Sequence, residues 1–161
     1  SHDPWVQAKA ISQVSKCNIT MGTLHKDTAY EISKVFLATE EELFNAFISE
    51  PLLKKIWGVS SITIDARPNG QARAKLAFAN ENWDFTIIYK EVVPNEKLSW
   101  IVHFDRFPSK ETWVTLLFKK TTNGTELIFR QENFENSQER DDNRQANEMA
   151  LETLEGLVGK Q

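Results

Sequence analysis

A single cysteine, Cys17, stands in the sequence, so no internal disulfide can form and a reducing, cytoplasmic setting is expected. Long apolar runs are missing: nothing approaches the roughly 20 residues that a membrane-spanning helix needs. No signal-peptide pattern opens the chain, and without that context the sequons Asn18-Ile19-Thr20 and Asn123-Gly124-Thr125 read as chance. Basic runs are missing too. Lys54-Lys55 and Lys119-Lys120 are isolated pairs, and the formal charge of −4 argues for solubility and against nucleic acid as a partner.

The groups that would carry catalysis are equally sparse. No His, Cys, Asp and Glu cluster has metal-ligand spacing. No glycine-rich loop could cradle a phosphate, and no serine stands in a nucleophile-elbow context. His2 and His25 fall in a doubtful opening segment, and His103 is mid-strand on the phase opposite Trp100 and Val102. The acidic runs Glu40–Glu42 and Asp141-Asp142 suit helix starts, where the dipole favours negative charge. No catalytic residue, metal or cofactor is therefore assigned. Tyr89 and Asp84 are the only remaining groups able to act on a bound ketone.

What is present is patterning. The 161 residues suit one domain with a real core. From Ser137 to Gly159 apolar residues recur at Ala146, Met149, Ala150, Leu154, Leu157 and Val158, with Thr153 completing the face. That spacing predicts one amphipathic helix with a single buried stripe. Ser137 is the expected N-cap and Gly159 the expected stop, giving a length of about 35 Å. Followed backwards, the stripe turns polar at Asn143, Asp142 and Glu139, as for a helix that covers a core and also lines a cavity mouth.

Upstream, Tyr30 to Leu37 reads as a strand. Thr39 with Glu42 forms a capping box ahead of Leu43, Phe44, Phe47 and Ile48. Glu50-Pro51 then starts a second short helix that Gly58 ends. Six strand candidates follow, separated by Pro68-Asn69-Gly70, Asn80-Glu81-Asn82, Pro94-Asn95-Glu96 and the hairpin signal Asn123-Gly124. They run over Ile62–Arg67, Gln71–Ala79, Trp83–Val93, Leu98–Phe104, Glu111–Thr121 and from Leu127 through Gln131. Short turns make neighbours antiparallel. The predicted fold is α+β: a curved antiparallel sheet of about seven strands wrapped round one long C-terminal helix, with two short helices after the first strand. Residues 28–161 form this single domain. Residues 1–27 read as an N-terminal tail, with Ser1–Pro4 having the look of a cloning remnant and Met21 of a native start. An arm docking Trp5, Val6, Ile11 and Val14 on a surface is the alternative.

Several segments also carry a family resemblance. Tyr30–Thr39, Phe44–Phe47, Pro51 and Trp57-Gly58 resemble the opening of the heat-shock ATPase activator homologue domains. Glu91–Trp100 is similar to that family's strand-turn-strand signature, and Val114–Leu116 with Gly124–Leu127 continues the match, which covers about residues 28 to 159. These domains belong to the START-like, birch-pollen-allergen-like (SRPBCC) superfamily, so the resemblance implies a helix-grip fold. Two departures stand out. Many members carry Gly-Trp early in the last helix, where this chain has Ala146-Asn147, and often a His near the end of the last strand, where it has Gln131. Both positions border the family's pocket, so Asn147 and Gln131 would each present an amide donor and acceptor there.

Large aromatics facing small helical residues either fill a core or leave a cavity. Trp57, Trp83, Phe85, Trp100, Val102, Phe129 and Gln131 are expected to face Ala146, Asn147, Met149 and Ala150 across such a cavity. The leading expectation is non-catalytic binding of a small hydrophobic molecule, lipid-like in character. The alternatives are a chaperone-interaction module, as the family name suggests, and a cyclase-like enzyme using Tyr89. The full-length activators have a further N-terminal domain that engages the chaperone, for which these residues leave no room, so the name is expected to describe ancestry more than activity. Trp113 and Leu117 fall on the outward phase and leave the oligomeric state open.

Overall fold

The computed structural model describes residues 27–159; the expectations for the segment before them, including its reading as a tail, fall outside that range. Strand β1 (Ala29–Phe36) is followed by α1 (Glu40–Ala46) and α2 (Glu50–Trp57). Then come β2 (Ser61–Ile64), β3 (Gln71–Lys75) and a small hairpin of β4 (Ala77–Phe78) and β5 (Glu81–Asn82). Four long strands follow: β6 (Phe85–Val93), β7 (Lys97–Phe104), β8 (Thr112–Lys120) and β9 (Thr125–Glu132). Helix α3 (Ser137–Glu155) ends the order. The main sheet has seven antiparallel strands in the order β1-β9-β8-β7-β6-β3-β2. This is the expected α+β helix-grip arrangement.

Local chemistry explains the short helices. The Thr39 hydroxyl accepts from the Glu42 N–H at 3.0 Å, which caps α1. The reciprocal half of the expected capping box is absent, because the Glu42 carboxylate instead accepts from the Gly159 N–H at 3.0 Å. Ser49 caps α2 by accepting from the Leu52 N–H at 3.3 Å, and Gly58 ends it in the left-handed region at φ 67°. Asn69 and Asn95 take positive φ in their turns, as side chains that tolerate that region should.

The register lays side chains in rows across the inner face. Tyr30 pairs with Gln131, Gln131 with Val114, Val114 with Trp100, and Trp100 with Tyr89. Every member of that row is buried. A bulge between Tyr89 and Glu91 lets β6 bend. Strand β3 stops at Lys75 and the 77–82 hairpin leaves the sheet, with Ala79 and Asn80 both at positive φ.

Helix α3 differs from expectation at both ends. Its N-cap is Asn136, one residue earlier than Ser137, with the amide oxygen accepting from the Glu139 N–H at 2.9 Å. It stops at Glu155 with Gly156 as C-cap. The buried face consists of Ala150, Leu151 and Leu154, followed by Val158, and α3 packs on α2 and β1. Met149, expected on this face, is 62% exposed. At 100° per residue it lies roughly 150° from the centre of the true face. The helix leans toward the β1 edge, which rotates Met149 to solvent and brings Leu151 inward. Followed toward the N-terminus, the same face continues through Asn147 and Asn143. No helix among the described residues is long and apolar enough to cross a membrane.

Gly159 fastens the far end. It stands at φ 72°, and a Cβ there would lie 1.8 Å from the Leu37 carbonyl oxygen. Gly124 has a related role: a Cβ would lie 2.1 Å from the Phe36 carbonyl oxygen, so close approach to β1 requires this glycine. We expect Gly159→Ala to lower the stability of the fold by about 3 kcal/mol, since both the left-handed backbone and the contact forbid a side chain. Urea denaturation checks this as a lower midpoint at unchanged slope; an unaltered midpoint would show that the Leu37 contact does not hold the helix end.

Candidate functional site

Because α3 leans on β1 and α2, its N-terminal half does not close over the middle strands. An inner cavity of about 190 Å³ lies there. Its floor is Phe85 and Ile87 from β6, Trp100, Val102 and Phe104 from β7, Val114 from β8, and Phe129 and Gln131 from β9. Its roof is Asn143, Ala146, Asn147 and Ala150 from α3. Trp57, at the end of α2, closes one side with Ile56 and Leu76. The Trp57 ring meets Trp100 at 6.3 Å and Phe85 at 6.0 Å, both edge-on, the geometry aromatic quadrupoles favour. Ala146 is exposed although it lines this cavity, so it stands at the rim.

Nine of the eleven residues expected around a cavity are brought together in this way. Trp83 and Met149 are not. The expected phase of Trp83 with Phe85 fails because β6 begins only at Phe85. Before it, the chain is tied to Leu76, just past the end of β3, by the Trp83 N–H donating to the Leu76 carbonyl at 2.7 Å and the Leu76 N–H donating to Asp84 at 3.1 Å. Trp83 instead packs on Phe104 and Phe107, with the Arg106 guanidinium 4.6 Å from its ring centre. There it lines an outer cavity of about 500 Å³. Its buried indole N–H has no hydrogen-bond partner among the described residues.

The outer cavity lies between the 105–111 loop and the first turns of α3. Lys110, Glu111, Thr112, Phe134, Glu139 and Asp142 contribute to its wall. The two cavities share Val102, Phe104 and Asn143, so these three form the partition between them. This outer space was not anticipated; the one available signal was Phe107, an aromatic residue in the loop between β7 and β8.

A cluster of uncharged polar groups stands at the partition. The Tyr30 hydroxyl donates to the Asn143 amide oxygen at 2.6 Å and accepts from the Asn147 amide at 2.7 Å. Asn147 also lies 2.9 Å from the Asn143 oxygen and 3.3 Å from that of Gln131. The Gln131 amide donates in turn to the Thr112 hydroxyl at 2.9 Å. Tyr30 and Thr112 were not anticipated as site residues. Tyr30 read as the first core residue of a strand, and only its pairing with β9 brings its hydroxyl to α3.

Tyr89 is 1% exposed beneath Trp100, and neither it nor Asp84 lines either cavity. No group of three or more His, Cys, Asp or Glu side chains among the described residues could hold a metal ion. Burial raises the pKa of both Tyr30 and Tyr89 well above the ordinary 10.0, in Tyr30 against the lowering influence of the Asn147 bond and of Arg144. A raised phenol pKa means the folded state keeps its proton where the unfolded chain would lose it. The stability contribution is therefore full below 10.0 and is lost as pH climbs above it. Tyr30 and Tyr89 are the only tyrosines. Folded protein should show no tyrosinate absorbance as pH passes 10.0, and the signal should appear together with loss of the fold. An ordinary titration in folded protein would contradict the burial of both hydroxyls.

The fold recurs in solved structures of low sequence identity. A Chromobacterium violaceum protein is 20% identical with TM-score 0.75, the match covering 83% of this chain and 99% of that one. A Rhodobacter sphaeroides protein is 23% identical with TM-score 0.69, covering 81% and 91%. A Staphylococcus aureus protein described as of unknown function is 17% identical with TM-score 0.68, covering 79% and 90%. No curated protein matches the chain. The family model of the Activator of Hsp90 ATPase homolog 1-like proteins matches residues 37–159. With this match over a helix-grip fold, the chain belongs to that family and so to the START-like superfamily.

Proposed function

We propose that this domain is a non-catalytic binding module that holds a small hydrophobic molecule in the inner cavity between the sheet and α3. The observation that supports it is a space of about 190 Å³, walled mostly by apolar side chains, between the sheet and the less packed N-terminal half of α3. Its mostly apolar wall is surface that an apolar occupant would take out of water. The outer cavity serves as the vestibule, since it shares the partition of Val102, Phe104 and Asn143.

Family membership favours a second reading, contact with the chaperone ATPase named in the family's description. A saturable pull-down with that chaperone would support it over the first.

Ala146 is the position at which to test the first reading, because it lines the cavity yet is exposed. Ala150 is only 8% exposed, so a large residue there would disturb packing as well. We expect native mass spectrometry of the freshly purified protein to show an excess mass that denaturation removes. Ala146→Phe should keep the melting temperature within a few degrees and lose that excess mass. An adduct retained equally by Ala146→Phe would place the ligand elsewhere.

A further inference from the structure

We infer that the inner cavity selects an uncharged molecule of about one ring that carries a hydroxyl group, and that Asn143 and Asn147 recognise that group. This rests on the reading of the cavity as a ligand site and names its chemical class.

Charge comes first. None of the side chains lining the inner cavity is titratable. A carboxylate or ammonium group entering it would lose its hydration without gaining a counter-ion, which strongly disfavours the charged form. Arg144 offers no rescue: it is exposed, absent from the lining, and paired with Glu148 at 3.5 Å. In the outer cavity, Lys110 is already held by Glu135 and by Glu139.

Size comes next. An apolar cavity of about 150 Å³ accepts benzene, so about 190 Å³ accommodates one ring with a small substituent. Two fused rings with a side chain would need the partition to open.

Hydrogen bonding then fixes the substituent. Tyr30 has one hydrogen, given to Asn143, and it accepts from Asn147. Gln131 accepts from Asn147 and donates to Thr112. Two cluster atoms remain without a partner among the described residues, the Asn143 amide nitrogen and the Asn147 amide oxygen. One is a donor and the other an acceptor, on side chains one helical turn apart. A hydroxyl accepts from the first while donating to the second; a carbonyl can satisfy only the first, and a hydrocarbon neither. Leaving such groups facing an apolar occupant is unfavourable, so the cavity discriminates between otherwise equal rings.

The test uses the full chain with three probes of similar shape: toluene, p-cresol and 4-methylbenzoate, each titrated by calorimetry. We expect p-cresol to bind about tenfold or more tighter than toluene, and 4-methylbenzoate to bind more weakly than either at neutral pH. Asn143→Leu removes the donor but leaves the Tyr30 hydroxyl an acceptor in Gln131 at 3.1 Å, so the fold is retained. In that variant the preference for p-cresol over toluene should shrink several-fold, since only the acceptor on Asn147 remains to bond its hydroxyl, while toluene binding is maintained. Equal binding of toluene and p-cresol, preference for 4-methylbenzoate, or an undiminished p-cresol preference in Asn143→Leu would each overturn the inference while leaving the cavity a ligand site. Binding of none of the three overturns it as well; the broader reading is then decided separately by the adduct in Ala146→Phe.

Discussion

The backbone of Gly159 rests against the Leu37 carbonyl while its N–H is held by Glu42. That contact, with the burial of Leu151, Leu154 and Val158, fixes α3 at its C-terminal end to the segment joining β1 and α1. The other half is held by hydrogen bonds in place of buried apolar side chains, Asn143 and Asn147 meeting Tyr30 and Gln131. The packing partners of α3 are α2 and β1, at one side of the curved sheet. A helix held at one end and one edge cannot also close over β6, β7 and β8, and the unclosed space is the inner cavity. The site is thus a consequence of where the helix is fastened.

The polar groups gathered at the inner cavity are amides and a phenol, with no charge among them. Asn143 and Asn147 extend the buried stripe of α3 past the point where apolar residues end, and they meet Tyr30 and Gln131 from the two adjoining strands β1 and β9. A buried network of neutral groups carries a smaller desolvation penalty than an ion pair would. It also keeps the cavity free of any fixed charge. The carboxylates of the region, Glu111, Glu139 and Asp142, line the outer cavity instead. Carboxylates thus stand in the wall of the outer cavity and none in that of the inner one.

Much of the architecture was readable from sequence because the signals were local. Capping by Thr39, the stop at Gly58 and the turns at Pro68-Asn69-Gly70 and Pro94-Asn95-Glu96 all follow from neighbours in the chain. The family resemblance supplied the global arrangement. What failed was decided at long range. Met149 has the spacing of a core residue, but the tilt of α3 toward β1 turns it outward. Trp83 alternates correctly with Phe85, yet the sheet is interrupted just before that residue. The hairpin expected at Asn123-Gly124 is present between β8 and β9, but the close passage of β1 that also requires Gly124 is not written in the local sequence. The hub role of Tyr30 depends on β1 lying beside β9, which no local pattern states.

That pairing of the first and last strands has a kinetic consequence. β1 leaves the ribosome early, but its hydrogen-bonding partner follows about a hundred residues later, a delay of roughly 5–20 s at ordinary elongation rates. Throughout that interval one edge of the chain has no ladder to join. Contacts this distant in sequence also slow the spontaneous search, because loop closure must precede any gain from packing. Tyr30, Gln131 and Asn147 come from β1, β9 and α3, so the polar cluster assembles only after all three have emerged. The polar wall of the inner cavity is then among the last features that the growing chain acquires.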